Sequence, residues 1–276
     1  AGVFGVGAAV TKPACAEPPS NYSPLKVPGT VVKDIDGLEA GTNHGRAADK
    51  YVYSASVVNQ WLEKPSTQPK NKKIVFVTFD DGPTTKFTGE QLDNLEKAGA
   101  RATFFMIPPQ MRDVGKNMLS RSLKMGNALA IHSYSHDYKY LYHGSAANKA
   151  KHISCDWDWA MAQSRAILGS NYFSSAFRYP GGHMSWTNLS QADATLAKRG
   201  VGWIDWNAMS GDADAQRPTT VPGYLQMVKK SIKESNNPNV VVILNHDTYG
   251  KQMTAKAMPS ILAWLKSQGY EFGVIA

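Results

Sequence analysis

Seven short apolar runs occur from residue 74 onward, and most are continuously hydrophobic rather than alternating with polar residues. Two examples are IVFVTF at 74–79 and VVVIL at 240–244. Continuous apolar character is typical of strands that are buried on both faces of a parallel sheet. The predicted strands are 74–79, 102–106, 128–131, 175–178, 201–206, 240–245 and 271–274.

Segments with helical periodicity lie between most of these runs. They cover 88–98, 109–124, 146–168, 188–198, 222–234 and 255–268. Strands that alternate with helices predict a parallel α/β architecture. Periodicity alone leaves a barrel and an open doubly wound sheet as alternatives. In both, functional residues gather at the C-terminal ends of the strands.

The first 72 residues have a different character. Residues 1–46 hold many turn-forming prolines and little apolar periodicity, which predicts an extended arm. Apolar residues at helical spacing predict a single helix over 47–64, followed by a polar, proline-containing linker at 65–73. We therefore predict an N-terminal arm and helix at 1–72 and a catalytic domain at 73–276.

The apolar stretch at 1–10 is too short and too glycine-rich to cross a membrane, which takes about 18 apolar residues. It fits the trimmed remnant of a signal or anchor region. No other apolar run approaches that length, so no membrane span is expected in this chain.

The chain is basic, with 30 Lys and Arg against 22 Asp and Glu and a formal net charge of +8. The excess is spread along the sequence, and its densest patch is 70–73. Nucleic-acid binding calls for a concentrated basic footprint, so no nucleic-acid partner is expected. A diffuse positive charge instead favours attraction to an anionic polymer or surface.

The two cysteines, Cys15 and Cys155, form no CxxC pair and are too few for a four-cysteine zinc site. A disulfide between them would tie the arm to the catalytic domain. Two unpaired thiols are the alternative, and the sequence leaves both open.

Five of the predicted strands end in carboxylates, imidazoles or a guanidinium. In chain order, the segments are TFDDGP (78–83), HSYSH (132–136), RYPGG (178–182), DWNAMSGD (205–212) and LNHD (244–247). Because the C-terminal ends of parallel strands meet at one edge, we expect these side chains to converge.

These residue types are those of a metal-assisted hydrolase. His132 and His136 can bind one ion if their backbone forms a helical turn, and a carboxylate completes the set. Three protein ligands with a fourth position open to water are typical of a catalytic metal site. One carboxylate of the Asp80–Asp81 pair can bind the metal while the other acts as a general base, and His246 is a candidate acid.

The same segments, in the same order, resemble the five motifs of the polysaccharide deacetylase (NodB-homology) family. The ATFF run at 102–105 fits the family as well, and the resemblance covers about 73–276. It implies an α/β fold, a distorted barrel of seven or eight β/α units. The implied reaction is metal-dependent removal of N-acetyl or O-acetyl groups from a polysaccharide.

The resemblance implies a role for each matching residue. Asp80 resembles the general base, and Arg178 resembles the arginine that pairs with it. His246 resembles the catalytic acid, and Leu244 resembles a residue lining the acetyl pocket. The implied metal is zinc, or another divalent metal such as cobalt, nickel or manganese. Its implied ligands are Asp81, His132 and His136.

The fourth motif departs from the family's pattern. Its alignment makes Asp212 the carboxylate partner of His246, with Asp205 as the competing choice. Ala213 then stands where the family keeps a tryptophan.

The third motif departs as well, because Gly181 stands where an aromatic residue often follows the proline. Its backbone N–H remains available to an oxyanion. Trp186 or Tyr138 is a candidate replacement for the missing wall, with ordinary packing as the alternative for either. We predict that the substrate contacts Gly181, Leu244 and Trp206.

The expected substrate is an N-acetylated polysaccharide, and peptidoglycan with its N-acetylglucosamine units is preferred. A chitin-oligosaccharide deacetylase and an acetylxylan esterase are the alternatives within the class. A catalytically silent carbohydrate-binding relative is the alternative outside it, although the complete set of base, ligands and acid argues against silence. The basic chain suits an anionic cell wall, so we expect a protein that is extracellular or on a bacterial cell surface. We also expect it to be a monomer.

Overall fold

The computed structural model describes Cys15 and residues 29–276. The predicted remnant at 1–10 and most of the predicted arm lie outside these residues. The strands are β1 (Val52–Tyr53), β2 (Ile74–Asp80), β3 (Ala102–Met106), β4 (Ala128–Ile131), β5 (Ala176–Phe177), β6 (Gly202–Trp203), β7 (Ala208–Met209), β8 (Val240–His246), β9 (Glu271–Phe272) and β10 (Val274–Ile275).

Helices separate most of the strands. They are α1 (Ala55–Glu63), α2 (Thr85–Ala98), α3 (Lys116–Lys124), α4 (Tyr138–Tyr142), α5 (Ala146–Leu168), α6 (Ser190–Lys198), α7 (Val221–Glu234) and α8 (Gln252–Ser267). Within the described residues, no helix combines the length and the apolar character that crossing a membrane requires.

One curved parallel sheet carries the strands in the order β6–β5–β4–β3–β2–β8–β7, and β9 pairs with the start of β2. This sheet with its surrounding helices confirms the predicted distorted (β/α) barrel. The strands β2 and β8 pair in register along their whole length, so Asp80 lies opposite His246. The register therefore brings a carboxylate and an imidazole to the same edge of the sheet.

The alternation of β2 explains which way Asp80 points. Successive side chains of a strand face opposite sides of the sheet. Val75, Val77 and Phe79 belong to the large core shared with the helices. Ile74 and Phe76 belong to a second core made by residues from several strands, which fills the inside of the barrel. Asp80 continues this inward-facing series at the C-terminal end of β2.

The single helix predicted over 47–64 is wrong. The segment forms a 3-10 helix (Arg46–Tyr51), then β1, then α1. β1 pairs in parallel with β10, and Ser54 caps α1 by accepting a hydrogen bond from the Val57 N–H. β-Branched and aromatic residues favour strands, and the pairing with the end of the chain outweighs the local helical spacing.

Other boundaries differ for local reasons. The helix predicted over 109–124 is divided, because Val114 and Gly115 are extended between a 3-10 helix (Pro108–Asp113) and α3. The strand predicted over 271–274 is interrupted at Gly273, where a Cβ would lie 2.6 Å from the Phe76 ring. The short elements α4 and β7 were not predicted.

The described part of the N-terminal extension packs closely on the barrel. Ala55 and Val58 of α1 belong to the core inside the barrel. A disulfide joins Cys15 to Cys155 of α5, so of the two alternatives for the cysteines the structure contains the bonded one. The division into two domains at residue 72/73 stays a prediction.

Candidate active site

Asp80, at the end of β2, forms a buried ion pair with Arg178. Arg178 Nη1 donates a hydrogen bond to Asp80 Oδ1 at 2.9 Å, and the two side chains are 0% and 3% exposed. Arg178 also donates to Thr78 Oγ1 and to the carbonyls of Ile204 and Asp205. This network fixes Asp80 with its other oxygen, Oδ2, directed towards a neighbouring imidazole.

That imidazole belongs to a cluster of three metal-binding side chains. Asp81 Oδ1 lies 3.3 Å from His132 Nε2 and 3.2 Å from His136 Nε2. The backbone of Asp81 has a positive φ of 74°, so the chain bends at the end of β2 and two consecutive carboxylates reach the same edge. Burial raises the pKa of Asp81, but its contacts with the two imidazoles hold that pKa well below its usual range.

The loop after β4 presents both histidines, and it does so without the helical turn that their spacing alone would require. Ser133 and His136 have positive φ angles of 71° and 47°, and the Ser133 hydroxyl accepts a hydrogen bond from the His136 N–H. His132 Nδ1 lies 2.9 Å from the Arg178 carbonyl. Donation to that carbonyl leaves Nε2 free to bind a metal.

Asp156 on α5 holds this loop and was missed in the sequence. Its carboxylate accepts hydrogen bonds from the backbone N–H groups of Tyr134 and Ser135 at 2.6 and 3.0 Å, and from the Ser135 hydroxyl at 2.6 Å. The side chain is 1% exposed. A signal was available, because Asp156 shares a helix face with buried Ile153 and Ala160. A carboxylate on an apolar face needs partners.

Replacing Asp156 with asparagine is therefore expected to weaken metal binding by about 10- to 100-fold, the usual effect of losing a group that orients metal ligands. An amide offers one acceptor oxygen and turns an NH2 group towards donors. Competition with a chromophoric chelator measures the change. Asp158→Asn is the matched control on the same helix, because Asp158 pairs with Arg199 instead. Equal metal affinity in Asp156→Asn and wild type would contradict the prediction.

His246 faces these three metal-binding side chains and is paired with Asp212. Nδ1 of His246 lies 2.8 Å from Asp212 Oδ1, and Asp212 Oδ2 accepts from the His246 N–H and the Thr254 hydroxyl. Burial lowers the pKa of His246, but the hydrogen bond and charge of Asp212, with the charges of Asp80 and Asp81, raise it to about 9. Nε2 points to Asp81 Oδ2 at 3.9 Å.

Asp205, the competing partner, serves another purpose. Its carboxylate accepts hydrogen bonds from the His183 and Met184 N–H groups at 2.8 and 2.9 Å, so it caps the turn after the third motif. Of the two carboxylates considered for His246, the structure therefore brings Asp212 to the imidazole.

The three predicted substrate contacts lie around the same edge. Gly181 has a positive φ of 79° and faces the side chains of Tyr138 and Trp186. Trp206 lies beside Arg178, with the guanidinium carbon 5.5 Å from the indole ring centre. Leu244 is half-buried in β8, next to Thr78 of β2 in the sheet. A cavity of about 400 Å³ opens beside Asp81 and His136.

A second group of potential metal ligands, Glu39, His44 and Asp49, lies elsewhere in the described chain. His44 forms a β-bridge with Ala128, the first residue of β4. This group is therefore at the N-terminal end of the strands. The active sites of parallel β/α barrels lie at the opposite, C-terminal end.

Comparison with known proteins agrees with this geometry. A family model for polysaccharide deacetylase matches residues 67–198. The structure of a Streptococcus mutans CE4 esterase is similar, with 38% sequence identity, a TM-score of 0.77, and coverage of 88% of this chain and 100% of that chain.

Two relatives are similar in sequence. A peptidoglycan-N-acetylglucosamine deacetylase of Bacillus cereus is 28% identical over 204 residues, 74% of this chain and 69% of that protein. A bifunctional xylanase/deacetylase of Pseudobutyrivibrio xylanivorans is 30% identical over 210 residues, 76% of this chain but 31% of that longer protein. The barrel, the order of the five motifs and these similarities show that the chain belongs to the polysaccharide deacetylase family.

Proposed function

We propose that this deacetylase is a metal-dependent hydrolase that removes N-acetyl groups from the N-acetylglucosamine units of peptidoglycan. The observation that carries the proposal is the convergence of three assemblies at one edge of the barrel. They are the pair Asp80–Arg178, the cluster Asp81–His132–His136 and the pair His246–Asp212.

The cluster fits a divalent ion. Asp81 Oδ1 is buried and has no hydrogen-bond partner among the residues that the structure describes, while two imidazole Nε2 atoms face it. Two histidines and one aspartate suit zinc, and cobalt, nickel or manganese can use the same donors. When bound, such an ion would polarise the acetyl carbonyl and make an attacking water more acidic.

The surrounding residues supply the proton transfers. Asp80 Oδ2 lies 3.7 Å from His132 Nε2, so it can take a proton from a water that attacks beside the cluster. His246, whose pKa is raised to about 9, carries a proton at neutral pH and can donate it to the departing amine. The Gly181 N–H can donate to the carbonyl oxygen as negative charge develops there. The products are acetate and a free amine on the sugar.

Three observations support peptidoglycan as the polymer and the cell surface as the location. The Bacillus cereus relative is named for this activity, and a net charge of +8 favours an anionic wall. The disulfide between Cys15 and Cys155 is the kind of bond that persists outside the cytosol.

The test is acetate release by the zinc-loaded protein from peptidoglycan, chitooligosaccharides and acetylated xylan. We expect the highest kcat/KM on peptidoglycan. A preference for acetylated xylan would make the protein an esterase, and binding of all three polymers without acetate release would make it a silent relative. Either result would overturn the proposal.

A further inference from the structure

The third motif lacks a side chain at Gly181, and other residues fill the space. A Cβ placed on Gly181 would lie 3.2 Å from the Tyr138 hydroxyl oxygen and 3.2 Å from Trp186 Nε1. A larger side chain at this position would therefore displace one of these two groups. The aromatic side chains around this space come from Tyr138 of α4 and from Trp186, which follows the third motif.

Trp186 is locked in place by packing and hydrogen bonding. Its Nε1–H donates to the Pro180 carbonyl at 2.9 Å, and its ring stacks on Tyr142 with the centroids 4.0 Å apart. The Tyr142 hydroxyl donates to the same carbonyl at 2.7 Å. The polar atoms of these two side chains are thus already hydrogen-bonded within the protein.

Tyr138 differs from both. It is 45% exposed, and no described residue exchanges a hydrogen bond with its hydroxyl. Its ring lies 5.5 Å from the His136 ring and 5.1 Å from the Trp186 ring. The Gly181 N–H likewise has no acceptor among the residues that the structure describes. Two donors with no partner among the described residues therefore border the space at Gly181, close to His136.

The hydroxyl of Tyr138 remains a donor at neutral pH. A tyrosine hydroxyl ordinarily keeps its proton well above neutral pH, so its hydrogen is available to an acceptor.

We propose that Tyr138 contacts the substrate, and that its hydroxyl donates a hydrogen bond to the acetyl oxygen beside the Gly181 N–H. The inference rests on the proposed deacetylase function and adds a residue to it. Negative charge on the acetyl oxygen grows during the attack, so the hydrogen bond strengthens in the transition state and acts mainly on kcat. Acetate, the product, presents the same kind of oxygen and binds through the same donor.

The test compares Tyr138→Phe, which removes only the hydroxyl, with Tyr140→Phe on the same helix. Tyr140 is the matched control because its ring stacks on His152 with the centroids 4.2 Å apart. Calorimetry with sodium acetate measures binding to the zinc-loaded proteins. We expect Tyr138→Phe to weaken acetate binding about fivefold and to lower kcat about tenfold with little change in KM. Tyr140→Phe should match wild type.

Metal content and Tm separate substrate contact from a structural role. Tyr138→Phe should keep both at wild-type values, and a loss of zinc or a large fall in Tm would overturn the proposal. Wild-type acetate affinity in Tyr138→Phe would overturn it too, as would a wild-type protein that binds no acetate. If wild type binds acetate but releases none from peptidoglycan, the proposed function fails, and the calorimetric comparison still decides the role of Tyr138.

Discussion

Replacing Asp80 with asparagine is expected to lower kcat for acetate release by about 10²- to 10⁴-fold while the protein keeps its metal. The amide cannot take a proton from the attacking water. Asp80 is not one of the three clustered ligands, and its Oδ2 stays 3.7 Å from the nearest ligand nitrogen. Metal content by elemental analysis and kcat in parallel assays measure the two effects separately.

The same substitution is also expected to reduce stability. Arg178 is completely buried, and losing the partner of a buried ion pair costs about 3–5 kcal/mol. The asparagine oxygen still accepts a hydrogen bond from Nη1, so the loss in the free energy of unfolding should fall towards the lower end of that range. Urea unfolding measures it.

The neighbouring variant Asp81→Asn is the contrast for Asp80→Asn. It should lose metal and activity together, because Asp81 contributes the oxygen of the cluster. If Asp80→Asn has wild-type activity, Asp80 is not the general base. If Asp80→Asn loses its metal, the division of roles between the two carboxylates is wrong.

Replacing His132 with alanine is expected to abolish both metal binding and acetate release. Two ligands remain of the three, so the fall in metal affinity should exceed the roughly 10- to 100-fold loss caused by removing a supporting group. His132 is 2% exposed and also lies 2.9 Å from the Arg178 carbonyl, so the variant requires a check of its fold by circular dichroism.

His44→Ala is the matched control for this variant. His44 is also buried, at 6% exposure, and it belongs to the other group of potential ligands at the opposite end of the barrel. The control should retain one equivalent of metal and wild-type kcat. Loss of metal in His44→Ala, with retention in His132→Ala, would place the metal site at the N-terminal end of the strands and would contradict the proposed active site.

The central strands and their ends could be predicted because the relevant signals are local. β3 and β4 begin and end at the predicted residues, and β2 extends only one residue further. Burial on both faces makes such strands continuously apolar. The polar residues that follow them then have to gather at one edge, as Asp81, His132 and His136 do.

What the sequence could not predict depends on partners distant along the chain. The helical spacing around Tyr51 and Ala55 indicates which side chains are buried. It does not indicate that Val52 and Tyr53 pair with the last strand. The hydrogen bonds that Asp156 accepts from backbone N–H groups of the loop after β4 span 22 and 21 residues.

The site loop and the aromatic wall were unpredictable for a related reason. Positive φ angles at Ser133 and His136 exclude the helical turn that HxxxH spacing suggests. The space at Gly181 is filled by Tyr138, more than 40 positions earlier in the chain, and by Trp186. Only the folded structure brings these residues together.

Metal titration of the stripped protein tests the central claim most directly. The protein is freed of metal with a chelator, zinc is added back in known equivalents, and acetate release from peptidoglycan is measured at each step. We predict no release before zinc is added and a linear rise that saturates at one equivalent, as expected if one catalytic ion is held by Asp81, His132 and His136. Full acetate release by the metal-free protein would contradict a metal-dependent deacetylase.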